Sequence, residues 1–175
     1  MFMPILNIEE SQGILETLAF KYHGPKFDAH SHLRRVEDIK GQVEVADRYQ
    51  VKRAVGIIWE DKREEYEQHF PGRFIFAKFL PSEGLVKGAI DSVVNEVEAI
   101  YEAGFPIVKI WYAPRWIDYV EREQKTDIRG FRLDDPTFEP IFSRIEERGL
   151  ILLIHVSDPD LFYQTNYQNL ARLCA

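Results

Sequence analysis

Five short apolar runs, at 26–33, 51–59, 71–81, 106–112 and 150–156, alternate with helically patterned segments, and no hairpin turn signal joins any two of them. Strands separated by helices pair in parallel through right-handed crossovers, so the chain is expected to be α/β. Between the runs, Val36, Ile39, Val43, Val45 and Ala46 pattern a helix over 36–49, and a highly charged helix is expected over 60–69. Residues 88–103 place Ile90, Val93, Val94, Val97, Ile100 and Tyr101 on one face, with Gly104 as the stop. Asp135-Pro136 opens a further helix that turns Phe138, Ile141, Phe142 and Ile145 inward and stops at Gly149. The run at 150–156 is almost wholly apolar, which predicts a strand buried on both faces. The polar stretch 114–135 is too long for an ordinary connection and is expected to be a functional loop. Residues 7–22 read as a short helix lying outside the core, in an N-terminal extension over 1–25.

The first run holds the chemistry. In an extended Lys26–Leu33 segment, side chains alternate, so Asp28, His30 and His32 are expected on one face and Phe27 and Ala29 on the other. Two neutral imidazoles at such positions form a partial shell for zinc or a similar divalent ion and need a third protein ligand. His155, which closes the apolar run Leu150–Ile154 just before Ser157-Asp158-Pro159, supplies the candidate. Of the other histidines, His23 reads as a solvated loop residue, and His69 as a cation favouring the carboxyl end of a helix dipole.

The 175 residues suffice for one domain with a real core, and 45% hydrophobic content with 13% aromatic residues excludes general disorder. A net charge of −7 and an isoelectric point near 5.3 argue against a nucleic-acid surface. The single cysteine, Cys174, excludes an internal disulfide and fits a reducing compartment. No stretch reads as a signal peptide or a membrane span, so a cytoplasmic protein is expected, with no nucleic-acid or membrane partner.

Two parallel architectures are consistent with the alternation, an open doubly wound sheet and a (β/α)8 barrel. No glycine-rich phosphate fingerprint follows the first run, which weighs against the open sheet. In a barrel, strands 1 and 5 face one another across a narrow interior, and groups at their carboxyl ends meet where barrel active sites sit. His30, His32 and His155 occupy those ends.

Over 26–159 the chain resembles the amidohydrolase-related family of metal-dependent TIM barrels, in the branch of the aminocarboxymuconate-semialdehyde decarboxylase type. The resemblance is carried by Phe27-Asp28-Ala29-His30-Ser31-His32-Leu33, Phe70-Pro71-Gly72-Arg73-Phe74-Ile75, Gly104-Phe105-Pro106-Ile107-Val108-Lys109-Ile110, Asp135-Pro136 and Leu153-Ile154-His155-Val156-Ser157-Asp158-Pro159. It implies one divalent metal ion, with zinc as the first candidate, held by His30, His32 and His155. Asp28 would then be a carboxylate orienting the site and not a ligand. It also implies a catalytic histidine and a metal-ligating aspartate from strands 6 and 8, which would lie beyond Ala175. A complete barrel takes roughly 250 residues, so the chain is expected to hold an incomplete barrel of about five β/α units, inactive alone and prone to associate into a homo-oligomer. The implied reaction is hydrolysis or decarboxylation of a small organic substrate. Lys109 is expected to line the pocket or to form a structural ion pair, and Arg115 and Arg129, in the polar stretch, to recognise a substrate carboxylate. Two rival readings are a TatD-like metal-dependent nuclease, which also begins with a His-x-His strand, and a non-catalytic barrel fragment acting as an interaction module.

Overall fold

The computed structural model describes residues 24–81, 84, 88–125 and 132–156. The expected helix at 7–22, His23, Arg129, Asp158 and Cys174 lie outside them. Five strands, β1 (Lys26–His32), β2 (Val51–Ile58), β3 (Phe74–Phe79), β4 (Ile107–Trp111) and β5 (Ile151–His155), form one parallel sheet in sequential order. Between them run helices α1 (Val36–Arg48), α2 (Arg63–His69), α3 (Ile90–Glu102), α4 (Pro114–Gln124) and α5 (Glu139–Glu147), the last preceded by a 3₁₀ turn at Pro136–Phe138. No helix among the described residues is long and apolar enough to cross a membrane.

The two faces of the sheet differ. On the helix side, Ala54 and Ile58 of β2, Phe74 and Phe76 of β3, and Val108 and Ile110 of β4 pack against Ile39, Tyr66, Val93, Val97, Ile100, Ile141 and Ile145. Fully burying a side chain of this kind contributes about 1.5–3 kcal/mol, so this layer carries most of the stability. On the other face, Val55, Ile57, Ala77 and Ile107 form a smaller cluster with Ile75, Phe79 and Leu153. The alternation assigns Lys109 to this inner face as well.

The sheet is curled. Neighbouring strands lie about 4.8 Å apart, so in a flat sheet β1 and β5 would be separated by roughly 19 Å. Yet the rings of His30 on β1 and His155 on β5 have centroids 5.9 Å apart. Only curvature about the inner face brings them together, and the five β/α units form a half-barrel.

Two connections are fixed by residues in the motifs quoted above. Gly72 adopts φ +66°, a conformation that only glycine takes without cost, and its N–H donates to Glu67 Oε2 at 2.9 Å. Arg73 then donates to Asp47 Oδ1 and to the Val51 carbonyl, both at 2.7 Å, which ties the entry of β3 to the end of α1 and the start of β2. These residues are structural.

Two expectations fail. The stretch at 114–135 is not a continuous loop, because its first eleven residues form α4. Pro114 stands at the opening of this helix, Trp116 and Val120 are one turn apart and fully buried, and Lys125 ends it with φ +52°. Arg115, Asp118, Glu121, Arg122 and Glu123 make the segment read as a polar connection and mask that short apolar stripe in the sequence. Nor is β5 buried on both faces: Ile151 is 61% exposed and the other four residues are half-buried. Among the described strands β5 is paired only with β4.

Candidate metal centre

β1 carries a bulge where the histidines begin. Asp28 pairs with Ala54 and Ser31 with Gly56, so three steps along β1 match two along β2. The extra residue reverses the alternation. Asp28 therefore shares the helix-side face of Ala54, whereas His32 pairs with Ile57 and shares the inner face. The expectation that Asp28, His30 and His32 point the same way is corrected by this bulge. Asp28 is instead its clamp, accepting the His30 backbone N–H at 2.9 Å and the Ser31 hydroxyl at 2.7 Å. It orients His30 through the backbone, with no contact between carboxylate and imidazole required.

The two β1 imidazoles face each other. His30 Nε2 lies 3.2 Å from His32 Nε2, and the ring centroids are 5.1 Å apart. The His155 ring meets His30 edge-on at an interplanar angle of 86°. An aromatic stack continues from the cluster: His32 on Trp59 at 5.2 Å, then Trp59 on Phe79 at 5.0 Å. Trp59 is 50% exposed and forms an accessible wall.

Burial and neighbouring charges lower the pKa of both β1 histidines. Burial lowers the His32 pKa to about 4, assisted by His30, Lys109, Arg34 and His155. His30 is also lowered, by burial first and then by Lys109 and His155, with Asp28 opposing. Neutral rings present free lone pairs, the form in which imidazole binds a metal ion. Two nitrogens bonded tetrahedrally to one zinc ion at 2.0–2.1 Å would stand about 3.3 Å apart, close to the observed His30–His32 spacing. The pair fits a divalent ion. A complete set is not formed, because among the described residues no three His, Cys, Asp or Glu side chains are placed to hold one ion together. His155 is beside the pair, at the expected end of the sheet.

Lys109 lies under the cluster, between Phe79 of β3 and Leu153 of β5 in the sheet register. It is 1% exposed and its Nζ has no hydrogen-bond partner among the described residues. Burial lowers its pKa to about 8. The sequence marked it as pocket-lining or as a structural ion-pair residue; no ion-pair partner stands among the described residues, an isolation of which the sequence gave no sign. The backbone of Arg115 belongs to α4, while its side chain and the whole of Arg129 lie outside what is described. His69 is far along α2, where its Nδ1 lies 2.8 Å from the Glu65 carbonyl.

No family model, curated protein or solved structure matches the chain.

Proposed function

We propose that the chain carries the metal-binding part of a metal-dependent barrel of the amidohydrolase-related type, serving hydrolysis or decarboxylation of a small organic substrate. The supporting observation is the meeting of His30 and His155, from the first and fifth strands, over one end of a curled parallel sheet. That end is the carboxyl end of the strands, where barrel enzymes place their chemistry. His30, His32 and His155 would hold the ion, zinc being the first candidate from the all-imidazole donor set. A bound ion supplies Lewis acidity, polarising a substrate oxygen or lowering the pKa of water.

The chain's own residues prepare that site. Burial and neighbouring basic groups lower the pKa of His32 and His30, and Asp28 fixes the backbone from which His30 projects. Trp59 and Phe79 form a flat apolar wall against which a substrate can lie. The decisive experiment uses residues 1–175 stripped with a chelator and titrated with zinc, the bound metal being read by elemental analysis and with cobalt as a spectroscopic substitute. One equivalent per chain is expected, with tetrahedral cobalt bands, and its loss in His30→Ala and His155→Ala but not in His69→Ala. Full zinc retention by His155→Ala would remove the proposal. Turnover on a panel of aryl carboxylates, esters and amides then distinguishes the reaction types.

A further inference from the structure

The helix layer is thin beside β1. α1 and α3 are each 13 residues long, yet α3 buries Val93, Val97 and Ile100 while α1 buries Ile39 alone. Val45 and Tyr49, at the start and just past the end of the last turn of α1, are 51% and 61% exposed, and four residues apart they share one flank of the helix. Both line a groove of about 1350 Å³ between α1 and the helix-side residues Asp28, Ala54 and Phe74 of the sheet. Clefts for small molecules measure roughly 300–1,000 Å³, so this one suits a length of chain. Its two ends differ. At the amino end of β1, the Lys26 N–H donates to the Gln50 carbonyl and Lys26 Nζ to the Tyr49 carbonyl, at 2.7 and 2.8 Å, so the residues preceding β1 depart from beside Tyr49. At the carboxyl end the groove is lined by Arg34 and Arg35.

We propose that residues 7–22 of this chain dock in the groove as an amphipathic helix running antiparallel to β1. Ile8, Leu15, Leu18 and Ala19 recur at helical spacing and supply the apolar stripe that Val45, Tyr49 and Ala54 lack a partner for among the described residues. A helix over 7–22 is about 24 Å long and α1 about 20 Å, so the segment matches the long wall of the groove. The join at 23–25 has the length by which a helix ordinarily enters the next strand of an α/β unit, about two to six residues. The direction also matches charge: Glu9 and Glu10 come to the end where Arg34 and Arg35 stand, and acidic residues favour the first turn of a helix. So short a tether holds the segment at an effective concentration of about millimolar, which favours it over a second copy of the chain. Asp28 and Ser31, which hold the β1 bulge, line the same groove. The docked helix covers them and steadies the β1 histidines from behind, whether or not an ion is bound.

The test uses the full chain with Tyr49→p-benzoylphenylalanine, an aromatic replacing an exposed aromatic, irradiated at low protein concentration and mapped by peptide mass spectrometry. An adduct within 7–22 of the same chain is expected. Leu15→Asp with Leu18→Asp should reduce its yield about tenfold or more, since two leucines leave their contact, while Glu16→Gln, outside the stripe, leaves it unchanged. In the same leucine variant the His30 amide, which donates to Asp28, should lose protection from hydrogen exchange. The crosslinker at position 45 gives a second, independent reading. Adducts that fall on 157–175, join two chains into a covalent dimer, or form nowhere in the chain from either position overturn the proposal, as does a yield that the two aspartates do not change.

Discussion

The Asp28 carboxylate accepts the backbone N–H of His30 at 2.9 Å from the opposite face of the strand to the His30 ring. The bond holds open the bulge that sends both β1 histidines inward. Asp28→Ala removes that bond and the one from Ser31, and should cost about 1–3 kcal/mol. A lower urea midpoint with an unchanged m value is the expected result, and Asp28→Asn, which keeps one acceptor oxygen, should fall between it and the wild type. An alanine variant as stable as the wild type would mean that the bulge stands without its clamp.

Gly56, in the middle of β2, has no room for a side chain. A Cβ there would lie 2.5 Å from Leu33 Cδ1 and 3.3 Å from Phe74 Cβ. Leu33 is 3% exposed and has little space in which to move. Gly56→Ala should therefore destabilise by ~1–3 kcal/mol, as overpacking of a close-packed core does. In the double variant Gly56→Ala with Leu33→Ala, the two costs should be less than additive, which equilibrium unfolding of all four proteins measures.

Stability should fall on mild acidification. The folded-state pKa of His32 is about 4 against an ordinary 6.5, so between these values the unfolded chain binds the additional proton and folding loses free energy as the pH drops. The contribution is fully present above 6.5 and disappears toward 4, and His30 acts in the same direction. His32→Gln should flatten the dependence. Urea midpoints on metal-free protein between about pH 7 and pH 5 check this, in a range above the titration of ordinary carboxylates; parallel curves for variant and wild type would contradict it.

Arg73 belongs to one of the motifs that suggested a family, yet its bonds are to Asp47 and the Val51 carbonyl. Its side chain is only 14% exposed. Arg73→Ala should lower stability by ~1–3 kcal/mol while leaving zinc uptake at the histidines unaltered. A variant of normal stability with lost zinc would assign Arg73 to the site instead.

Much of this architecture was legible in the sequence because strands and helices use different apolar spacings. All five strands lie within the expected runs, and β4 and β5 match theirs to within a residue at each end. The meeting of His30 with His155 was expected from the barrel reading, in which strands 1 and 5 face one another across a narrow interior. The face of Asp28 was not legible, because a bulge is one added residue with no fixed composition, and strict alternation then gives the wrong parity. The helix at 114–124 was hidden for another reason: its fully buried Trp116 and Val120 stand in a segment that also carries Arg115, Asp118, Glu121, Arg122 and Glu123. Nor could the isolation of Lys109 be read, since that depends on what surrounds the amine in three dimensions.

The sequential strand order also has a meaning for the chain as it leaves the ribosome. Every pairing in the sheet joins consecutive strands, so each β/α unit can dock on the one made before it, without waiting for distant segments. The β1–β2 pair, and with it the His30–His32 pincer, can close when fewer than half of the residues have been synthesised. His155 arrives last. Under the proposed metal site, a nascent chain would thus present a two-pronged chelator before the strand that brings the third imidazole exists.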